Sequence, residues 1–317
     1  MNATLRIETR LLSEELRAFL QRIDPVGWRD GREDEAQRRV EDIRTRLTLV
    51  ATAAGDDAEG WLDGLIAVFE RAPSAPTAEP RKAWATFLRE VQPAYDALAA
   101  WLRGEGVAVP AVRPTNYKRS FFHVCSALLS LSLLRLLPEK WMLLGASGSI
   151  AAWAWSMEIG RRRSAWLNAK LMRFFGPIAH AHEHHQVNSS TWYVTALFLL
   201  ALLAPKPAAE MALVVLGLAD PLAGIVGRRF GKTRIRAGRS LEGSLAFLFA
   251  GVAASMAVAA LFHSLPLGSM ALLAGVGALA GTVAEIVSTR LDDNFTIPVT
   301  VSAAVAVTAA IAGISLV

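Results

Sequence analysis

Cysteine is almost absent: the chain has one, Cys125, set in an apolar run. A lone thiol excludes an internal disulfide framework and argues against dithiol redox chemistry. Acids are scarce in the second part. Residues 1–115 carry 16 Lys+Arg and 19 Asp+Glu, and subtraction from the chain totals of 33 and 28 leaves 17 and 9 for the other 202 residues. The opening "MNATLRIETRLLSEELRAFL" has no continuous apolar core, so no secretory signal is read there and the N-terminal region is expected to stay in the cytosol. Two motifs that the sequence invites are also missing. "FGKT" at 230–233 suggests a phosphate-binding P-loop, but the required first glycine falls on Val226 and both flanks are long apolar runs. "HAHEHHQ" at 180–186 places His180, Glu183 and His184 at helical spacing, yet it lacks the H-E-x-x-H order of a catalytic zinc site and is read as a polar segment.

What is present is grease, unevenly distributed. With 53% hydrophobic residues, 317 residues supply one membrane domain and a smaller soluble one. Amphipathic periodicity predicts helices over 4–22, 34–53, 58–71 and 81–103, the last interrupted by Pro93. They form a helical accessory region over 1–110, in which no catalytic motif is found. "RAPSAPTAEPRK" links its parts, and "GEGVAVPAVRPTN" at 104–116 leads to the remainder. From residue 117 onward, apolar runs at 121–137, 141–157, 191–205, 208–226, 244–264, 267–288 and 296–316 predict about seven transmembrane helices. The expected fold is therefore all-α and polytopic.

Basic residues fall on alternate loops. Lys118 and Arg119, Arg161–Arg163 with Lys170 and Arg173, the 228–239 cluster and Arg290 share one side; Arg135, Lys140 and Lys206 lie on the other. The positive-inside rule makes the first side cytoplasmic. Positive charge confined to such loops is a pattern of membrane orientation and anionic ligands, not of nucleic-acid binding. Trp153, Trp155, Trp166 and "RFFG" at 173–176 suit an interfacial belt.

Ionisable groups at membrane spans are costly and mark function. Seven of the nine acids in this part (Glu158, Glu183, Asp220, Glu242, Glu285, Asp292 and Asp293) fall at cytoplasmic span ends, whereas Glu139 and Glu210 do not. Carboxylates for Mg²⁺, cations for phosphate and glycines for close backbone approach suit phosphoryl or nucleotidyl transfer. Asp220 and Asp293 are assigned to the metal, and Lys232 and Arg239 to phosphate. Ser240 is placed to cap a helix whose positive end faces the ligand. Either Asp292 or Glu285 would be the base.

Two stretches carry a resemblance: "DPLAGIVGRRFGKTRIRAGRSLEGS" from Asp220, and "AEIVSTRLDDNFTIP" ending at Pro298. The shorter "YKRSFFH" and "EIGRRR" support them. Together they resemble the polyprenol kinase family (dolichol kinase, phytol kinase and CTP-dependent diacylglycerol kinase), relatives of phosphatidate cytidylyltransferase, over roughly 117–317. The resemblance implies CTP as phosphoryl donor and a membrane-lipid hydroxyl as acceptor. It implies that Asp220, Gly227, Gly231, Ser240, Glu242 and Gly243 form one half of the nucleotide site, and Asp292, Asp293 and Asn294 with Glu285 the other. It also implies a site role for His123, which alone reads as a packed polar residue. Two departures stand out: Arg239 replaces the usual Lys, and "LA" precedes Asp220 where the family has Gly. A cytidylyltransferase and a non-catalytic lipid-binding scaffold or transporter are the alternative functions.

Overall fold

The computed structural model describes residues 3–24, 28, 31–54, 60–74, 78–107, 109, 117–175, 187–233, 235–236, 239–288 and 291–316. Among these, regular structure is helical and no strand occurs. The chain forms two compact units, 1–115 and 116–317.

The first unit holds α1 (Ala3–Ile23), α2 (Glu33–Ala54), α3 (Trp61–Glu70) and α4 (Pro80–Gly104). Apolar residues at three- and four-residue spacing, such as Leu5, Leu12, Leu16, Phe19 and Ile23 on α1, are buried against their counterparts on the other helices. Aromatic rings of Phe19, Phe69, Trp84 and Phe87 meet at centroid distances of 5.5–6.3 Å, mostly edge to face. Pro93 does not interrupt α4, contrary to the sequence expectation. It removes one backbone donor, but Val91, Tyr95 and Leu98 on both sides of it are fully buried, and that packing carries the helix through.

The second unit holds α5 (Tyr117–Leu136), α6 (Lys140–Arg163), α7 (Ala165–Phe175), α8 (Ser189–Leu203), α9 (Lys206–Val214), a π turn (Val215–Ala219), α10 (Asp220–Phe230), α11 (Leu241–Phe262), α12 (Leu267–Val287) and α13 (Asp293–Ala312). Residues 206–230 run as one continuous rod and supply its axis. Pro207 to Leu216 are buried throughout, enclosed by α5, α11 and α13. Among the described residues, four helices are long and apolar enough to cross a membrane: Lys206–Phe230, Leu241–Phe262, Leu267–Val287 and Asp293–Ala312. At 1.5 Å per residue the shortest spans about 30 Å, the thickness of a hydrocarbon core. The rod is mostly enclosed, whereas the other three turn more than half of their most apolar stretch outward. Outward apolar surface of that extent calls for a lipid surrounding. The other predicted spans are also helical, but α5 and α6 are less apolar and α8 has only 15 residues.

The rod is not a regular α-helix. Pro221 cannot donate to the carbonyl four residues back, at Gly217, and the helix widens to π geometry immediately before Asp220. Gly217 also lets α5 approach, because a Cβ there would overlap the Cβ of Ala127. The Gly217→Ala substitution is therefore expected to destabilise the unit by about 1–3 kcal/mol through overpacking. Gly145→Ala, where a methyl group meets nothing within 4 Å, should be neutral or slightly stabilising. Thermal unfolding of both variants in detergent tests the pair; equal midpoints would remove the packing argument.

Candidate active site

The two halves of the candidate site meet at one guanidinium, where Arg239 and Glu285 are 46 residues apart in sequence. Arg239, just ahead of α11, pairs through Nε with Glu285 on α12, and its Nη2 lies 3.8 Å from Asp293 Oδ2 at the start of α13. Its Nη1 donates to the carbonyl of Ser288 at 3.3 Å. Ser244 donates to the second Glu285 oxygen at 3.4 Å. Arg239 thus joins the "RSLEGS" segment to the end of α12 and the beginning of α13.

Asp292 is the N-cap of α13, accepting from the backbone N–H of Asn294 at 3.0 Å and from Asn294 Nδ2 at 2.7 Å, both on Oδ1. Its Oδ2 accepts from the Ser189 hydroxyl at 2.8 Å. Arg119 donates to that hydroxyl at 3.3 Å. Asn294 is buried and its Oδ1 meets His123 Nε2, while His123 Nδ1 lies 3.6 Å from Asp220 Oδ2. His123 on α5 therefore bridges the first motif to the last. Pro298 leaves the Asn294 carbonyl without its intrahelical donor.

The N-termini of α8, α11 and α13 consequently share one end of the unit. Asn188 caps α8, Ser240 caps α11 by accepting from the Gly243 N–H at 3.1 Å, and Asp292 caps α13. Helix N-termini carry partial positive charge, and a group of them favours an anion.

The glycines have a packing role. A Cβ at Gly231 would come within 2.5 Å of Ser240 Oγ, one at Gly227 within 3.0 Å of the same atom, and one at Gly243 within 2.9 Å of the Ala223 carbonyl. These residues let the C-terminal half of α10 lie directly against the start of α11. Glu242 accepts from the Thr233 N–H at 3.2 Å, and the Leu241 N–H donates to the Thr233 carbonyl at 2.9 Å. Both contacts fasten the loop carrying the exposed Lys232 to the capped helix. Arg234 and Gly238 of that loop, with Arg290 and the 180–186 histidine stretch, lie outside the described residues.

Besides Glu242, four carboxylates of the candidate site occupy this end, and they differ in commitment. Glu285 and Asp292 are held by short-range hydrogen bonds; Asp220 and Asp293 are engaged only at 3.6 and 3.8 Å, with side chains 27% and 31% exposed. The described residues contain no cluster of three or more His, Cys, Asp or Glu preformed around a metal. Mg²⁺ does not need one, since it takes one or two carboxylates and fills its octahedron with phosphate oxygens and water. Asp220 and Asp293 fit that demand. Burial, then the neighbouring Asp293, hold the Asp292 carboxyl above the usual aspartate range, and its three hydrogen bonds only partly offset this.

Two further acids of this unit, one expected at the site side and one away from it, are engaged elsewhere. Glu158 is buried and enclosed within α6, accepting from Arg161 at 2.8 Å on both oxygens, from Arg162 at 2.8 Å and from the Asn188 N–H at 3.3 Å. It fixes the start of α8. Glu210, expected on the other side, sits about 15 Å along the rod from Asp220 and meets Arg135 at 3.2 Å and His263 at 2.5 Å. Sequence reading overlooked Ser189, Ser244 and Asn188. Asn-Ser-Ser ahead of an apolar run signals a cap, but nothing local tells that one hydroxyl faces a carboxylate 103 residues away.

No family model matches the chain, and no solved structure matches it. It is similar to CTP-dependent diacylglycerol kinase 1 of Schizosaccharomyces pombe, 30% identical over 138 residues, covering 40% of this chain and 63% of that protein. The similarity thus spans less than two thirds of that relative's length.

The raised Asp292 pKa has a stability consequence. The folded state retains a proton that the unfolded chain releases, so stability falls as pH rises from the ordinary aspartate value of 3.8 through the higher folded value, then levels off. Asp292→Asn keeps a capping side chain and should abolish that decline. Thermal midpoints of both proteins across pH give the check, and parallel curves would contradict it.

Proposed function

We propose that the helical unit from residue 117 onward is a CTP-dependent lipid kinase, transferring the γ-phosphoryl group to the hydroxyl of a membrane lipid. The carrying observation is Arg239 held between Glu285 and Asp293 at an end where several helix N-termini gather. That arrangement supplies a fixed, forked cation and aligned backbone dipoles to a polyphosphate. The similarity to a CTP-dependent diacylglycerol kinase supports the donor and the acceptor class, and diacylglycerol, a phytol-like alcohol and a polyprenol are the acceptors to compare. In this reading α5, α6 and α8 complete a unit of seven spans, and the site faces the cytoplasm beside the basic loops. The first unit is an accessory region.

Asp220 and Asp293 would hold Mg²⁺, which when bound offsets phosphate charge. Lys232 and Arg239 contact phosphate oxygens, and Glu285 holds Arg239 in orientation. Gly227, Gly231, Ser240, Glu242 and Gly243 shape the nucleotide-facing wall, and Asn294 joins it to His123. Asp292 is the base in this reading because no guanidinium of the described residues pairs with it, whereas Glu285 is tied to Arg239. The lipid oxygen forms a bond to the γ-phosphorus, its proton passes to Asp292, and the bond to the bridging oxygen breaks to release CDP. Such a transfer asks little covalent chemistry of the protein and depends on positioning and charge.

The deciding measurement incubates the detergent-purified protein with Mg²⁺, CTP labelled separately at the γ- and α-phosphates, and diacylglycerol, phytol, polyprenols or phosphatidate. Label from the γ-position is expected in extractable lipid, with CDP released. Label from the α-position with pyrophosphate release would establish a cytidylyltransferase instead. No transfer to any acceptor would favour a binding scaffold. Arg239→Gln is expected to lower turnover about 10²–10³-fold, as for loss of one preorganised donor to a developing charge. An unchanged rate would remove Arg239 from the phosphate site.

A further inference from the structure

A second surface at the same end of the unit is built for a different contact. The eleven residues of α7 include no acid, and none occurs between residues 159 and 175. Trp166, Lys170, Arg173 and Phe174 recur at i, i+4, i+7 and i+8, which places them on one helix face. All four are exposed, Trp166 at 69% and Phe174 at 78%. The Lys170 ammonium stands 4.9 Å from the Trp166 ring centroid, so cation and aromatic present a joint surface. Arg162 and Arg163, both exposed, extend the positive charge from the end of α6.

The other side of α7 is anchored. Leu167 packs over Gly160, where an added Cβ would lie 3.1 Å from it. Asn168 accepts from Arg161 Nη1 at 3.1 Å, and Arg161 is bound to Glu158, which in turn accepts from the Asn188 N–H. The helix is therefore fixed on α6 and tied to the start of α8, with a preset outward face. Glu158 is met by Arg161 and Arg162 within its own helix, so Arg162 is paired, whereas Arg163, Lys170 and Arg173 have no acid within residues 159–175 to meet.

Large aromatics turned outward are unfavourable in water and suited to the headgroup–acyl boundary, where the ring is buried and the cation stays wet. Aromatics alone would serve any bilayer. Three basic residues without an ion pair among the described residues, Arg163, Lys170 and Arg173, add a preference of sign. We propose that α7 lies in the membrane interface and binds anionic lipid headgroups through Lys170 and Arg173, with Trp166 and Phe174 inserted beside them. This inference is independent of the kinase reading.

The test uses the full chain reconstituted in vesicles of brominated-chain phosphatidylcholine, alone or mixed with phosphatidylglycerol. The Trp166 contribution to fluorescence quenching is taken as the difference between the wild type and Trp166→Phe. Quenching of Trp166 is expected to rise when phosphatidylglycerol is present and to return to the neutral-lipid level in high salt. The Lys170→Gln/Arg173→Gln pair should lose that increment, since each basic residue near an anionic surface contributes roughly fivefold to association. Circular dichroism confirms that the pair remains folded. Equal Trp166 quenching in the two lipid mixtures would overturn the proposal, as would an increment that survives the double substitution. Absence of quenching in both would place α7 away from lipid, as a protein-facing surface would be.

Discussion

A guanidinium flanked by two carboxylates, at the end of an apolar helix bundle, is the constraint on which the candidate site depends. Arg239 has no regular helix around it; it is placed by its bonds to Glu285, Asp293 and Ser288. Each partner belongs to a helix terminus, so one side chain fixes how α11, α12 and α13 end relative to each other. The substitution of Arg for the Lys common in the resembling family gains meaning here. A planar fork reaches three acceptors at once, which a single ammonium on a flexible stem does with less directional control.

Around that contact, hydrogen bonds run through side chains that do no chemistry of their own. Ser189 and Asn294 hold Asp292, His123 holds Asn294 and approaches Asp220, and Glu242 fastens the basic loop. The glycines contribute by absence of bulk. They bring α10 against the capped start of α11, so the dipole of one helix and the loop leaving the other are presented together. Asp220 and Asp293 are left loosely engaged in this lattice, Glu285 is tied to Arg239, and Asp292 is positioned by its hydrogen bonds.

Much of the architecture was legible because it follows from periodicity and composition. The four helices of the first unit lie within a few residues of their amphipathic patterns, and four of the seven apolar runs became membrane-length helices. Pro93 misled because local propensity says nothing about the buried Tyr95 and Leu98 that hold α4 together. The acids of the site were legible as residues, but not their division of labour. Which carboxylate is engaged depends on partners far off in sequence: Ser189 lies 103 residues from Asp292, and His123 lies 171 from Asn294. The grouping of Glu158 with the site acids reflected its place at a span end; its commitment to Arg161 and Arg162 emerges only in three dimensions.

Glu210 bears on how the molecule is made. The rod that carries it is the most enclosed helix of the unit, and an isolated carboxylate near the end of such a segment resists transfer from the translocation machinery into lipid. Its two partners reach the ribosomal exit at different times. Arg135 of α5 precedes Glu210 by 75 residues and is already available, whereas His263 follows by 53 and emerges only once α11 is complete. The central helix therefore enters beside a waiting countercharge and gains its second one later. The two countercharges of the axis thus become available at different points of synthesis, at the end remote from the candidate site.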